Sequence, residues 1–277
     1  MPWKLYIDSR RRVKGSRGDS DTDFAIQLPY PITVSGKAFI DVVLIPNSFK
    51  TIRAGQNDKI YLDETAALNK RVATLAPGQY SVFELKDALV TALNANKTIT
   101  GQYQVAYNTA SNRLVISLLN PASTDTFRIF TESGARANAH LWNATADALQ
   151  SANRACGLMS STVEFIAGNS TTSATAINAP DVQPYKQLFI RSNLGGVSAE
   201  SLGPNGETDI VRRVVVANTP FNGMIHDIHS QPLDCVKING HPELSLLWFE
   251  IIDIDSRVVD TDGLPVSFSI IFQDYDE

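Results

Sequence analysis

Cysteine is nearly absent: only Cys156 and Cys235 occur in 277 residues, far apart in the chain. That excludes a disulfide-built scaffold and predicts two unpaired, buried thiols, as suits assembly in a reducing compartment. No apolar run approaches the roughly 18 residues of a membrane span. The opening Met1-Pro2-Trp3-Lys4-Leu5-Tyr6-Ile7-Asp8 lacks the apolar core of a secretory signal. No membrane insertion and no export are therefore expected, and the sequons at Asn96, Asn143 and Asn169 are expected to be bare. Excess positive charge is missing too. The formal net charge of −5 gives no general attraction for nucleic-acid phosphate or anionic lipid.

Catalytic signatures are also lacking. No serine stands in a Gly-x-Ser-x-Gly context, neither cysteine has a partner signature, and Gly195-Gly196 lacks the strand-to-helix setting of a phosphate-binding loop. His226 and His229 form the one paired-histidine feature, but a spacing of three on a strand sends the rings to opposite faces. Asp253, Asp255, Asp260 and Asp262 surround a turn without EF-hand spacing and with Arg257 among them, so solvated turn carboxylates are expected. No enzyme activity, cofactor or metal is predicted. A cupin-like enzyme on a β-sandwich would need metal-binding histidines that this pattern does not supply.

What is present is strand texture. Residues 244–254 are almost continuously apolar, and residues 264–272 alternate, with Ser267 and Ser269 between Val266, Phe268 and Ile270. Asp262-Gly263 between them favours a hairpin turn, so a terminal hairpin is predicted. Further strands are predicted at residues 3–8, 24–28 (stopped by Pro29 and Pro31), 38–45 and 59–62. Others follow at 187–191, 210–216, 224–228 and 235–238, after and around an irregular loop at 194–207.

The middle differs. Ser81 with Glu84 three residues on reads as a capping box, followed by Val82, Leu85, Leu89 and Leu93 at helical spacing. A hairpin is predicted from residues 103–107 and 113–119, then a strand at 127–130, one or two short helices within 135–156, and a loop at 168–180. The layout is strands, a mixed insertion, then strands again. It predicts an all-β fold: one β-sandwich from residues 1–65 and 183–277, carrying an inserted α/β lobe at 66–182.

Two surface features remain. The basic run Arg10, Arg11, Arg12, Lys14 and Arg17 turns acidic at Asp19, Asp21 and Asp23 and reads as an exposed, mobile arm. No aromatic stacking residue accompanies it, so contact with a neighbouring subunit is expected rather than nucleic-acid binding. Arg17-Gly18-Asp19 spells the integrin-binding tripeptide, a match that chance supplies in roughly one chain in twenty of this length. Tyr103, Tyr107 and Trp142 would either belong to the lobe's core or present aromatic faces to a sugar.

Several segments share one resemblance. They are Leu5-Tyr6-Ile7-Asp8-Ser9-Arg10, Asp23-Phe24-Ala25-Ile26-Gln27-Leu28 and Val42-Val43-Leu44-Ile45-Pro46-Asn47-Ser48 near the start. The stretch 74–80 with its following helix, Leu188-Phe189-Ile190-Arg191-Ser192-Asn193-Leu194, Ile251-Ile252-Asp253-Ile254-Asp255 and the run from Asp262-Gly263 to Phe268 fit the same pattern. Together they resemble the penton proteins of virophages and Polinton-type elements, vertex capsid proteins of icosahedral double-stranded DNA viruses related in fold to the adenovirus penton base. The resemblance implies a single jelly roll that forms a homopentamer at the capsid vertex, docks among major and minor capsid proteins, and turns its inserted lobe outward toward a possible host receptor. The chain would then reside in the virion after assembly in the host cytoplasm or nucleus. The alternative is a carbohydrate- or receptor-binding jelly-roll module of a minor capsid or spike protein. In adenovirus pentons the Arg-Gly-Asp tripeptide lies in an outer loop; its position near the N-terminus here does not carry that role over.

Overall fold

The computed structural model describes residues 3–15, 18–34, 36–64, 69–145, 149–158, 172–194, 203–216, 219–228, 235–238 and 243–273. In chain order the strands are β1 (Trp3–Asp8), β2 (Asp23–Thr33), β3 (Gly36–Pro46), β4 (Lys59–Glu64), β5 (Asn69–Thr74), β6 (Gln102–Asn108), β7 (Arg113–Leu119), β8 (Phe127–Ile129), β9 (Ser173–Thr175), β10 (Gln187–Ser192), β11 (Ile210–Val215), β12 (Met224–Ile228), β13 (Val236–Ile238), β14 (Glu243–Ile252) and β15 (Ser267–Gln273). The helices are α1 (Val82–Asn94) and α2 (Glu132–Ala137). The chain divides into two units, Met1–Phe49 with Tyr185–Glu277, and Lys50–Pro184.

The first unit is an antiparallel sandwich of the jelly-roll type. One sheet runs β1-β15-β3-β12, with β13 also on β3, and the other runs β11-β10-β14-β2. Successive strands mostly change sheet, so most connections cross the sandwich. The period-2 pattern supplies the core: Leu247, Phe249 and Ile251 of β14 face Phe268, Ile270 and Phe272 of β15. On β3, Ile40 and Val43 are three apart yet both buried. A register shift against β15, where Phe268 pairs with Val43 and Ile270 with Ile40, turns both inward.

Two expectations are corrected by this topology. β14 and β15 do not form a hairpin: β14 pairs with β10 and β2, whereas β15 pairs with β1 and β3. Asp262 and Gly263 do take positive φ, 58° and 76°, as the Asp-Gly signal demands. That turn lies within a crossing connection held by Thr22 Oγ1 donating to Val259 O (2.6 Å) and Ser48 Oγ donating to Thr261 O (2.6 Å). Nor do Pro29 and Pro31 stop β2. Leu244 pairs with Ile32 and Leu246 with Gln27, so residues 28–31 bulge opposite Ser245. β2 is an edge strand, where a missing N–H costs no ladder bond.

The second unit holds two three-stranded sheets, β5-β4-β8 and β6-β7-β9. Residues 50–64, expected with the outer portion 1–65, belong here because β4 pairs with β5 and β8. β9 falls in the stretch read as a loop and pairs with β7. α1 buries Leu85, Leu89, Ala92 and Leu93, and its capping box is complete: Glu84 N–H donates to Ser81 Oγ (3.3 Å) and Ser81 N–H to Glu84 Oε2 (2.8 Å). The Ser81 bonds hold the Glu84 carboxyl below its ordinary range. Ser81→Ala is expected to cost about 1 kcal/mol, read as a lowered urea midpoint with an unchanged slope.

A buried polar knot ties these elements together. Glu64 on β4 is fully buried; its Oε1 meets Arg71 Nη2 at 2.7 Å and accepts the Tyr103 hydroxyl at 2.9 Å. Its Oε2 accepts Thr98 N–H (2.6 Å) and Oγ1–H (2.8 Å). Arg71 on β5 also donates to Ala95 O (2.6 Å) and Leu93 O (2.7 Å), satisfying carbonyls at the end of α1. Burial, then the Glu64 charge, raises the Tyr103 hydroxyl pKa well above its ordinary value.

Candidate functional site

Among the described residues no group of three or more His, Cys, Asp or Glu could hold a metal ion. His226 lies exposed on β12 opposite Leu44, and His229 falls outside the described residues. Asp253 is buried, and its Oδ1 accepts the N–H groups of Asp255 and Arg257, both at 2.9 Å. It shapes the connection rather than sitting in solvent with the other turn carboxylates. Neither cysteine is in a disulfide; Cys156 is buried and Cys235 partly so. Burial pushes the Cys156 thiol up to about 12. Iodoacetamide at neutral pH is therefore expected to leave Cys156 unmodified until the protein is unfolded, as peptide mass spectrometry would record.

The basic arm is fastened where the sequence predicts mobility. Ser9 is fully buried, its N–H donating to Val266 O and its Oγ accepting Val266 N–H, each at 3.0 Å. Ser9 Oγ also lies 2.8 Å from Asp21 Oδ1. Arg10 turns back to Asp8, with Nη2 to Oδ2 at 2.5 Å. Arg12 reaches Asp19 at 3.1 Å and Asp21 at 3.0 Å. The acidic half of the segment thus neutralises Arg12, while Arg10 is held by the preceding Asp8. Of the tripeptide, Arg17 lies outside the described residues, and Asp19 has φ 53° with its carboxylate on Arg12. A Cβ on Gly18 would lie 2.0 Å from Asp23 Oδ2, so a side chain there would have to displace Asp23. A partner for the motif would have to draw Asp19 away from Arg12.

In the jelly-roll unit exposed apolar side chains occur on the strands that end the two sheets, as well as at Leu246 of β14 and in connections at Phe221, Ile254, Val258 and Leu264. On β1, Tyr6 is 78% and Trp3 38% exposed, the latter stacked on Phe272 at 4.2 Å. On β12, Met224 is 52% and Ile228 61% exposed. Tyr30 on β2 is 68% exposed between the two prolines of its bulge, and Val215 on β11 is half exposed. Edge strands offer unpaired N–H and C=O groups, and apolar exposure there marks a surface suited to another chain. Sequence reasoning missed this site because nothing local says which strand ends a sheet.

The lobe's candidate aromatics separate. Tyr103 is buried, and Trp142 packs edge-on against Tyr61 (5.1 Å) and Phe130 (5.0 Å). Tyr107 is half-buried and meets the exposed ring of Phe83 on α1 at 5.5 Å.

The class this architecture defines is an antiparallel jelly roll with a second, mixed unit inserted between β3 and β10. Within that class the chain is similar to the crystal structure of selenomethionine-labelled mavirus penton protein, at 11% sequence identity, with 99% of both chains covered and a TM-score of 0.50. At that identity the likeness is one of fold. No protein-family model matches the chain, and no curated protein sequence matches it significantly.

Proposed function

We propose that this protein is a structural, non-enzymatic capsid subunit, a penton-like vertex protein of an icosahedral double-stranded DNA virus. In this reading the jelly-roll unit associates as a homopentamer among major and minor capsid proteins in the virion, and the inserted unit faces outward. The observation that carries it is the full-length fold likeness to a penton protein. The apolar edge strands support it, since sister copies would cover them. No described helix is long and apolar enough to cross a membrane. The test is electron microscopy and light scattering of the purified chain at tens of micromolar, alone and with a major capsid protein. Five-membered rings are expected; a persistent monomer in both settings overturns the proposal.

A second reading, of a carbohydrate- or receptor-binding module, is favoured by one observation: the exposed Phe83 ring against Tyr107. Stacking on a sugar face would use that ring. A glycan array is expected to show binding that Phe83→Ala abolishes, and an array without hits removes the carbohydrate version.

A further inference from the structure

The four sheet edges of the jelly-roll unit are not equivalent. β2 is blunted by Pro29, Pro31 and its bulge, and β11 carries the exposed cation Arg213. Prolines, bulges and charges of this kind keep an edge from pairing. Among the described residues, β1 and β12 of the other sheet carry no proline or bulge, and the exposed Lys237 lies on β13, which also pairs with β3. β1 presents Trp3 and Tyr6, and β12 presents Met224 and Ile228. Their charges are neutralised within the sheet or its neighbour: Lys4 Nζ meets Asp41 at 2.5 Å, and Asp227 meets Arg212 at 3.1 Å. Lys4 is therefore not a free edge lysine repelling a partner strand.

These two edges stand at opposite ends of one sheet, in the order β1-β15-β3-β12. A ring closed by one repeated contact needs two different, complementary surfaces on every copy. An open apolar edge at each end of the same sheet meets that requirement, whereas one self-complementary patch would stop at a dimer. We propose that β12 of one copy packs edge to edge against β1 of the next copy of this chain. This rests on the capsid-subunit reading and specifies which surfaces meet. A five- or six-residue strand spans roughly 17–20 Å, less than a standard interface of about 800 Å² per partner requires by itself. The edge contact therefore sets register and direction, and flanking surfaces add area.

The experiment introduces charge at each edge separately: Tyr6→Glu on β1, and Met224→Glu with Ile228→Glu on β12, with Tyr30→Glu on β2 as the control. Folding of each variant is checked by circular dichroism, and mass is read by light scattering and native mass spectrometry where the unaltered protein forms rings. Both edge variants are expected to stay monomeric, and the control to form rings. Mixing the two edge variants is expected to give a dimer and nothing larger, because one retains an intact β12 and the other an intact β1. Rings formed by either edge variant, or a mixture that remains monomeric, overturn the β12-to-β1 contact while leaving the capsid reading in place. Failure of the unaltered chain to assemble, alone or with a major capsid protein, overturns the capsid reading and this contact with it. A circular dichroism spectrum showing an edge variant unfolded transfers the test to Tyr6→Ser and Ile228→Ser, for which a rise of at least tenfold in the assembly concentration supports the contact and no rise overturns it.

Discussion

Arg71→Met is expected to destabilise the inserted unit by about 3–5 kcal/mol, because it leaves the Glu64 carboxylate buried without its cation. The methionine fills much of the volume but supplies none of the donors. Glu64 Oε1 would keep only the Tyr103 hydroxyl, and the Leu93 and Ala95 carbonyls at the end of α1 would each lose a bond. Adding Glu64→Gln to Arg71→Met is expected to recover part of that loss, since a neutral amide costs less to bury unpaired than a charge. The cost of the double variant should therefore lie well below the sum of the two single costs. Amide exchange followed by mass spectrometry, read on peptides from β4, β5 and α1, checks this unit without interference from the other. Equal protection in Arg71→Met and the unaltered protein would show the knot to be energetically neutral.

Phe249→Ala is expected to cost the jelly-roll unit about 3–5 kcal/mol. The ring is fully buried on β14, 5.7 Å from Phe24 within its own sheet and 4.8 Å, edge-on, from Phe268 of the facing sheet. Removing it opens a cavity that neighbours on two hydrogen-bonded sheets cannot collapse to fill, and removes both aromatic contacts. Phe249→Leu keeps most of the apolar contact and should cost less. Ile228→Ala, on an exposed edge, should change stability of the isolated chain by no more than about 0.5 kcal/mol. Exchange rates of β14 peptides in the three variants measure that ordering. A loss at Ile228 equal to the loss at Phe249 would contradict the assignment of Ile228 to the surface.

Local chemistry was legible where neighbours in sequence satisfy one another. The Ser81–Glu84 box closes within four residues, so its helix start is readable before any tertiary contact forms. The β6–β7 hairpin around Asn108 and Asn112 is likewise a short-range pairing. The Asp262-Gly263 turn was readable as backbone geometry but misleading as topology. The apolar run of β14 and the alternation of β15 each demand a buried face, and pairing side by side or facing across a sandwich satisfies that demand equally. Pro29 and Pro31 misled for a related reason: their cost depends on whether β2 is central or at an edge, a property of the whole sheet.

The functional surface was the least legible part. Tyr6 and Ile228 are unremarkable as members of apolar strands, and only the order β1-β15-β3-β12 makes them opposite ends of one sheet. Within the basic run Arg12 looked free because its partners Asp19 and Asp21 count as a separate acidic patch until the chain folds back.

By itself the sequence determined that this is a β protein with one strong capped helix, no disulfide framework and no catalytic signature, because propensity, alternation and capping act over a few residues. Tertiary structure alone decided which strands became edges, which carboxylate met Arg71, and where the sandwich ends and the insertion begins. Those outcomes depend on pairings between residues tens to hundreds of positions apart, and the alternation of side chains along a strand is indifferent to the choice of partner.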